Sequence, residues 1–241
     1  MSKTIFRETI EKYLLELSGI KRLSNNTLVA YRKDLEQFED FIEKKDISKI
    51  QSLNDRVIRL FIVFLDENKI SRSSISRKLS VLRGYFSFLD LNGYLDTNPI
   101  VNISNPKNKR NLPEIITLDS YEKILKLLSE EENDCVKEKF IFELLYGCAL
   151  RVSEVCNLNF GDIDLHRKSI RVTGKGNKTR FVPFGDKSIS IYKSYISSLS
   201  AIENNKPVFQ TKKKARIYPR YVHRLVNKYL SKGGFLEKLA T

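Results

Sequence analysis

Apolar residues in the first hundred positions recur at helical spacing. Behind Ser24, a predicted N-cap, Leu28, Tyr31, Leu35, Phe38 and Ile42 follow at alternating intervals of three and four, with charged and polar residues between them. That spacing lines one face of a helix. A second stripe follows Ser71, where Ile75, Leu79, Leu82, Phe86 and Leu89 share a face. Arg72, Ser76 and Arg83 fall on another face of the same helix, within about 40° of one another at ~100° per residue. Weaker helical patterns cover residues 5–18 and 54–68.

Between Asn98 and Thr117 the periodicity breaks. The stretch "NPIVNISNPKNKRNLPEIIT" holds three prolines and five asparagines around a cationic "KNKR", a composition suited to an extended connection between domains. Helical patterning resumes in "LDSYEKILKLLS" and "CVKEKFIFELLYGCAL". The period then switches in "SIRVTGKGNKTRFVPFG", where Ile170 and Val172 alternate with Arg171, and Val182 and Phe184 alternate with Pro183. Gly174, Gly176 and Asn177 separate the two runs, so a β-hairpin is predicted. Two further helices are predicted in "DKSISIYKSYISSL" and "YPRYVHRLVNKYLSKGG", the second stopped by Gly233 and Gly234. The expected fold class is mainly α. An all-α domain occupies 1–104, a linker 105–117, and an α+β domain with a small sheet 118–241.

Charge divides the chain differently from hydropathy. Of the 241 residues, 41% are hydrophobic and 30% charged, enough to bury real cores. The formal net charge of +14 is concentrated towards the end: residues 165–241 carry 18 basic side chains against 3 acidic ones. A positive field confined to one third of a sequence suggests a polyanionic partner, nucleic acid first and an acidic membrane surface second. No apolar run approaches the roughly 20 residues that span a bilayer, and the N-terminus lacks the apolar core of a secretion signal. A cytoplasmic protein acting without a membrane is expected.

The scarce residues exclude several chemistries. Cys135, Cys148 and Cys156 form no CxxC pair, and Cys148 lies in an apolar run, so no disulfide framework is expected. His166 and His223 have no metal-ligand pattern around them, and no metal site is expected. "VTGKGNKT" is not a phosphate-binding P-loop, because Gly176 follows Lys175 where Ser or Thr is required. No cofactor is expected.

Arg151 ends the nearly all-apolar "FIFELLYGCAL". A buried arginine is rare unless paired, and Glu154 stands one helical turn away. An internal salt bridge is one reading. The other is a rigidly held guanidinium whose planar fork anchors two phosphate oxygens. Lys175 at the tip of the hairpin would bring a mobile proton donor to the same phosphate. A cationic turn is also, commonly, solvated surface.

Together these residues resemble a known family. "GCALRVSEVCNLNFGDID" is similar to the first catalytic-arginine box of the tyrosine recombinases, the phage integrase family, and "IRVTGKGNKTRFVPFG" to that family's catalytic-lysine hairpin. "SNNTLVAYRKDLEQFEDFI", "ISRKLSVLRGYFSFL" and the proline-rich connection resemble the SAM-like core-binding domain and linker of its Xer branch. The resemblance implies site-specific recombination of duplex DNA. Two arginines, a lysine and a histidine bind the scissile phosphate while a tyrosine attacks it, giving a 3′-phosphotyrosyl link and a free 5′-hydroxyl without metal or nucleotide. Arg151 matches the first arginine, Lys175 the general-acid lysine, and Glu154 an acidic residue supporting Arg151. Lys178 and Arg180 on the hairpin, with Arg72 and Arg83 in the first domain, are expected to contact the DNA backbone.

The family pattern continues, beyond "LVNKYLSKGGFLEKLAT", into a His-x-Leu-Arg-His box and then the nucleophilic tyrosine. Tyr192, Tyr195, Tyr218, Tyr221 and Tyr229 all precede that point, so none is assigned as nucleophile. The chain taken alone is therefore expected to bind DNA, its two domains closing around the duplex, without completing strand cleavage. Assembly with recombinase subunits of the same or another kind is expected, weakened without the family's C-terminal helix. The alternatives are a non-catalytic protein that occupies recombination sites and a basic helical scaffold for RNA. The RNA reading is the weaker, since the chain lacks the aromatic pattern of an RNA-recognition domain.

Overall fold

The computed structural model describes residues 2–21, 23–107, 117–131, 135–174, 176 and 178–234, the side chains from Ile5 onward. The chain forms two compact units, Met1–Asn111 and Leu112–Thr241.

Among the described residues of the first unit are the α-helices α1 (Ser2–Gly19), α2 (Asn25–Glu43), α3 (Asp55–Glu67) and α4 (Arg72–Leu91), with a 3-10 turn at Ile50–Ser52. The two serines expected as N-caps act as such, Ser24 accepting from the Thr27 amide and Ser71 from the Ser74 amide. Of the α2 stripe, Leu35, Phe38 and Ile42 are buried while Leu28 and Tyr31 are half-buried against the same core. All five stripe residues of α4 are buried. Removing side chains of this size from water contributes about 1.5–3 kcal/mol each, so the two stripes are the main force holding α2 to α4. A charged pair is buried between them: the Asp34 carboxylate of α2 accepts from buried Lys78 Nζ at 2.7 Å and from Arg77, both on α4. Helix α4 stops where Asn92 folds its side-chain amide back onto the Phe88 carbonyl at 2.8 Å and Gly93 takes φ +70°.

The proline-rich stretch is only partly free of this core. Ile100 and Ile103 are buried in it. Arg83 Nη2 donates to the Ile103 carbonyl at 2.8 Å and Arg72 Nη1 to the Lys107 carbonyl at 3.3 Å. The expected phosphate-contacting face of α4 thus uses both arginines to hold the chain that leaves the unit. Residues 108–116 of the expected linker lie outside the described residues.

The second unit contains α5 (Leu118–Glu130), α6 (Val136–Tyr146), α7 (Val152–Asn157), α8 (Asp186–Ser197) and α9 (Pro219–Lys232). Its antiparallel sheet has the order β1 (Ile163–Asp164), β2 (Ser169–Thr173), β3 (Thr179–Pro183). The hairpin is β2–β3, as the alternation predicts, and the short β1 adds a strand that the pattern did not reveal. Side chains alternate across the pleat, so cross-strand partners share a face. Ile170 pairs with Val182 and Val172 with Arg180 on the core side, while Arg171 pairs with Phe181 on the outer side. Behind the sheet, Phe140 of α6 packs against Phe184, Tyr192, Tyr195 and Phe209. A buried carboxylate, Glu143 of α6, accepts from Ser188 Oγ of α8 at 2.6 Å and from the Tyr121 hydroxyl of α5. A side chain at Gly147 would collide with that carboxylate. Among the described residues no helix is long and apolar enough to cross a membrane.

Candidate functional site

The apolar run before Arg151 is not one helix. Helix α6 ends at Tyr146, the Cys148 and Leu150 amides turn back onto the carbonyls of Glu143 and Leu144 at 3.0 and 2.9 Å, and Ala149 takes φ +51°. The chain restarts as α7 with Arg151 at its N-cap in an extended conformation. The expectation that an apolar helix holds the guanidinium rigid is corrected accordingly, and the Arg151 side chain is 68% exposed. Its rigidity comes from Glu154. One carboxylate oxygen accepts from the Arg151 amide at 2.8 Å and the other from Arg151 Nη1 at 2.9 Å, so both bonds run from Arg151 to Glu154 across the first turn.

Glu154 is the buried member, its side chain 1% exposed. Arg180 reaches it from β3 in a two-pronged arrangement, Nη1 to Oε1 at 2.5 Å and Nη2 to Oε2 at 2.9 Å. Hence Arg180 does not sit on a detached, solvated loop. It lies on the core face of the hairpin and is bound to the carboxylate that also holds Arg151. The Arg180 fork, then the Arg151 amide and guanidinium, hold the Glu154 carboxyl well below the usual carboxylate range, at about 2. Two guanidinium groups around one carboxylate leave a net positive charge, and the Arg151 head faces water. A planar cation in this setting is suited to bidentate recognition of a phosphate.

The hairpin turn touches the same cluster. The Gly174 amide donates to the Lys178 carbonyl at 2.9 Å, closing the turn. A Cβ built on Gly174 would stand 3.2 Å from Glu154 Oε1, 3.6 Å from Arg180 Nη1 and 3.7 Å from Arg151 Nη1. Glycine therefore lets the backbone next to position 175 approach the arginines closely. Lys175 itself lies outside the described residues. Lys178 is exposed on the turn. Arg72 and Arg83 belong to the first unit and are engaged as described above.

Further basic side chains are exposed in the second unit. Lys212, Lys213 and Lys214 are exposed in a short turn, and Arg220, His223, Arg224 and Lys228 are exposed along α9. Arg216, which no motif in the sequence marks, is half-buried. It donates to the carbonyls of Cys156 and Leu158 at 3.1 and 3.3 Å and to Asn159 Oδ1 at 2.6 Å. Its place just before buried Ile217 and the start of α9 is too weak a signal to assign a partner 57 or more residues away. Among the described residues, no three of His, Cys, Asp and Glu are grouped as metal ligands.

Known proteins are similar to this chain in sequence and in fold. A sequence model of the phage integrase family matches residues 114–239, and one of the phage integrase N-terminal SAM-like domain matches residues 10–93. The tyrosine recombinase XerC of Thermodesulfovibrio yellowstonii is 37% identical over 237 residues, covering 95% of this chain and 77% of that protein. XerD of Staphylococcus epidermidis is 34% identical over 190 residues, 79% of this chain and 64% of the relative. The chain thus spans about two thirds to three quarters of the length of these relatives. Among solved structures, a lambda integrase dimer bound to a COC′ core site superposes with a TM-score of 0.76 at 15% identity, covering 95% of this chain and 81% of the other. That likeness establishes a shared fold. The relationship itself rests on sequence, over both units and at more than a third identity to a relative of which three quarters is matched: the chain belongs to the phage integrase family, the tyrosine recombinases.

Proposed function

We propose that this chain acts in site-specific DNA recombination of the Xer type, with duplex DNA as its substrate and Arg151 as the anchor of the phosphate at the cleavage position. The observation that carries this reading is the cluster itself: an exposed guanidinium fixed by a buried carboxylate, with a second arginine and the turn of a cationic hairpin alongside. A phosphodiester undergoing attack gains charge on its equatorial oxygens, and a cation held in place beforehand stabilises that charge without reorganising. Lys175, by its match to the family's lysine, would protonate the departing 5′ oxygen as a tyrosine oxygen bonds to phosphorus. Glu154 and Arg180 keep Arg151 in one orientation.

The remaining roles rest on the same reading. Residues 1–104 serve as the core-binding domain and 118–241 as the catalytic domain, joined through 105–117. Lys178 contacts the DNA backbone, and Arg72 and Arg83 do so with the donors that their carbonyl bonds leave free. Lambda integrase, of similar fold, is known as a dimer on a core site and as a tetramer on a Holliday junction, and this chain is proposed to work in a comparable assembly of recombinase subunits, in the cytoplasm.

Duplex binding followed by fluorescence anisotropy across a salt series tests the proposal. The logarithm of the association constant should fall linearly with the logarithm of salt, with a slope of about −0.9 per phosphate contacted. Arg151→Ala and Lys175→Ala should each weaken binding. An association constant indifferent to salt would overturn the reading.

A further inference from the structure

Helix α7 carries Arg151 at one end, yet it has only six residues and is about 9 Å long. Nearly all of its backbone groups are terminal and lack partners inside the helix. So short a helix has little stability of its own, and what grips its ends sets its orientation. The Glu154 cluster grips the first end. At the other end stands Arg216, from the segment between α8 and α9. It donates to the carbonyls of Cys156 and Leu158 and to the Asn159 side chain, at 3.1, 3.3 and 2.6 Å.

These contacts differ in kind from the rest of that neighbourhood. The Leu158 carbonyl also accepts from the Val208 amide at 3.0 Å, and the Asn159 amide is satisfied by Asp162 Oδ2 at 3.0 Å. Both of those ties hold the chain after the helix. Arg216 alone among these reaches back to a carbonyl of the helix itself, that of Cys156. A cation there also complements the negative end of the helix dipole. Its base is fixed in turn by a β-bridge between Gln210 and Arg216 and by the Thr211 amide on the Ala215 carbonyl at 2.7 Å.

We propose that Arg216 is a positioning residue for the phosphate-anchoring arginine: by clamping the carboxyl end of α7 it fixes the tilt of the helix and so the place of Arg151 at its other end. The inference rests on the reading of Arg151 as phosphate anchor. Arg216 does not touch the phosphate. It acts through the backbone of a six-residue lever, and misplacing an anchoring group by an ångström is enough to cost a large factor in function.

The test separates anchoring from folding. A duplex selected by the protein from a randomised library is synthesised with its central phosphates replaced, one at a time, by uncharged methylphosphonate. The wild-type chain should lose about tenfold or more in affinity at one position, the loss expected for a charge-assisted hydrogen bond. Arg151→Ala should erase that loss. Arg216→Gln should shrink it to about threefold or less, while affinity for the methylphosphonate duplex changes by no more than about twofold, the pattern of a coupled pair. A full wild-type penalty in Arg216→Gln overturns the inference, as does equal weakening on both duplexes. If that variant does not fold, Arg216→Lys decides: it keeps the charge but cannot span three acceptors, so a reduced penalty supports the inference and an unchanged one overturns it. A wild-type chain with no sensitive position would overturn the phosphate-anchor reading itself, and this inference with it.

Discussion

The backbone of Gly174 lies against the carboxylate of Glu154, so closely that a Cβ at position 174 would stand 3.2 Å from Oε1. Through this contact the hairpin meets the helix that carries Arg151. The oxygen cannot swing aside, because it accepts from Arg151 and Arg180 at 2.9 and 2.5 Å. Gly174→Ala should therefore destabilise the chain by about 1–2 kcal/mol, as a small overpacking does, and weaken duplex binding several-fold. Thermal unfolding and anisotropy titrations of one preparation measure both. Wild-type behaviour in both would show that the hairpin has room to move away from the cluster.

Arg151 and Arg180 should behave differently although they share a partner. The Arg151 head is 68% exposed, and its loss leaves Glu154 with both bonds from Arg180. Arg151→Ala should cost less than about 1 kcal/mol of stability, the range of exposed ion pairs, yet lower DNA affinity about tenfold. Removing both arginines strands a buried carboxylate, which costs about 3–5 kcal/mol. The double variant should thus be destabilised beyond the sum of the singles, a coupling that denaturant titrations of all four proteins would read.

The cluster also predicts a response to acid. Glu154 is held down to about 2 by the Arg180 fork first and Arg151 second, and Glu131 to about 2 by Lys232 first. Both folded-state values lie below 4.5, the ordinary value of a glutamate in the unfolded chain. Each group therefore adds stability that is fully present above about pH 4.5 and is lost as pH falls towards 2. Glu154→Gln and Glu131→Gln should each flatten the dependence of the melting temperature on pH in that window, and the pair should flatten it further. An acid limb as steep in the variants as in the wild-type chain would assign the sensitivity to other carboxylates.

How far the sequence foretold this arrangement can be followed residue by residue. The stripes of α2 and α4 and their serine caps were legible because periodicity and capping are local. The hairpin was legible from alternation and its glycines. Arg180 is an instructive case, being in phase with Val182 and Phe184 and so assigned by alternation to the core face, although its charge invited a solvent-facing role. The support of Arg151 was misread as one apolar helix because a run of apolar letters conceals the turn at Gly147–Leu150, where Ala149 takes φ +51°. No local pattern marks that break, since the contacts that reward it, such as the Leu150 amide on the Leu144 carbonyl, exist only after folding. The same holds for Arg216, whose acceptors lie 57 to 60 residues away, and for Arg72 and Arg83, whose bonds are to main-chain carbonyls that any residue supplies.

The tyrosines of the second unit allow a last prediction, on where the nucleophile is not. An attacking tyrosine must be accessible to the phosphorus and must shed its proton. Tyr192, Tyr195 and Tyr229 are buried at 5%, 3% and 1% exposure, and burial pushes all three phenols upward, away from the ionised form. Two of the hydroxyls are already committed: Tyr195 donates to the Val208 carbonyl at 2.7 Å and Tyr229 to Glu131 at 3.0 Å. They are structural groups, and Tyr195→Phe or Tyr229→Phe should cost about 1 kcal/mol of stability, the worth of one hydrogen bond. Tyr218, just before α9, is open to solvent, but its oxygen accepts from Arg224 of that helix at 2.9 Å, an arginine outside the Glu154 cluster. When any polypeptide containing this chain is trapped on a nicked suicide duplex, digested and mapped by mass spectrometry, the nucleotide should sit on none of these four residues. Phenylalanine at each should leave the adduct yield of the folded protein unchanged. A nucleotide found on Tyr229 or Tyr195 would mean that α9 or α8 unpacks on DNA, and it would overturn the assignment of these side chains to the core.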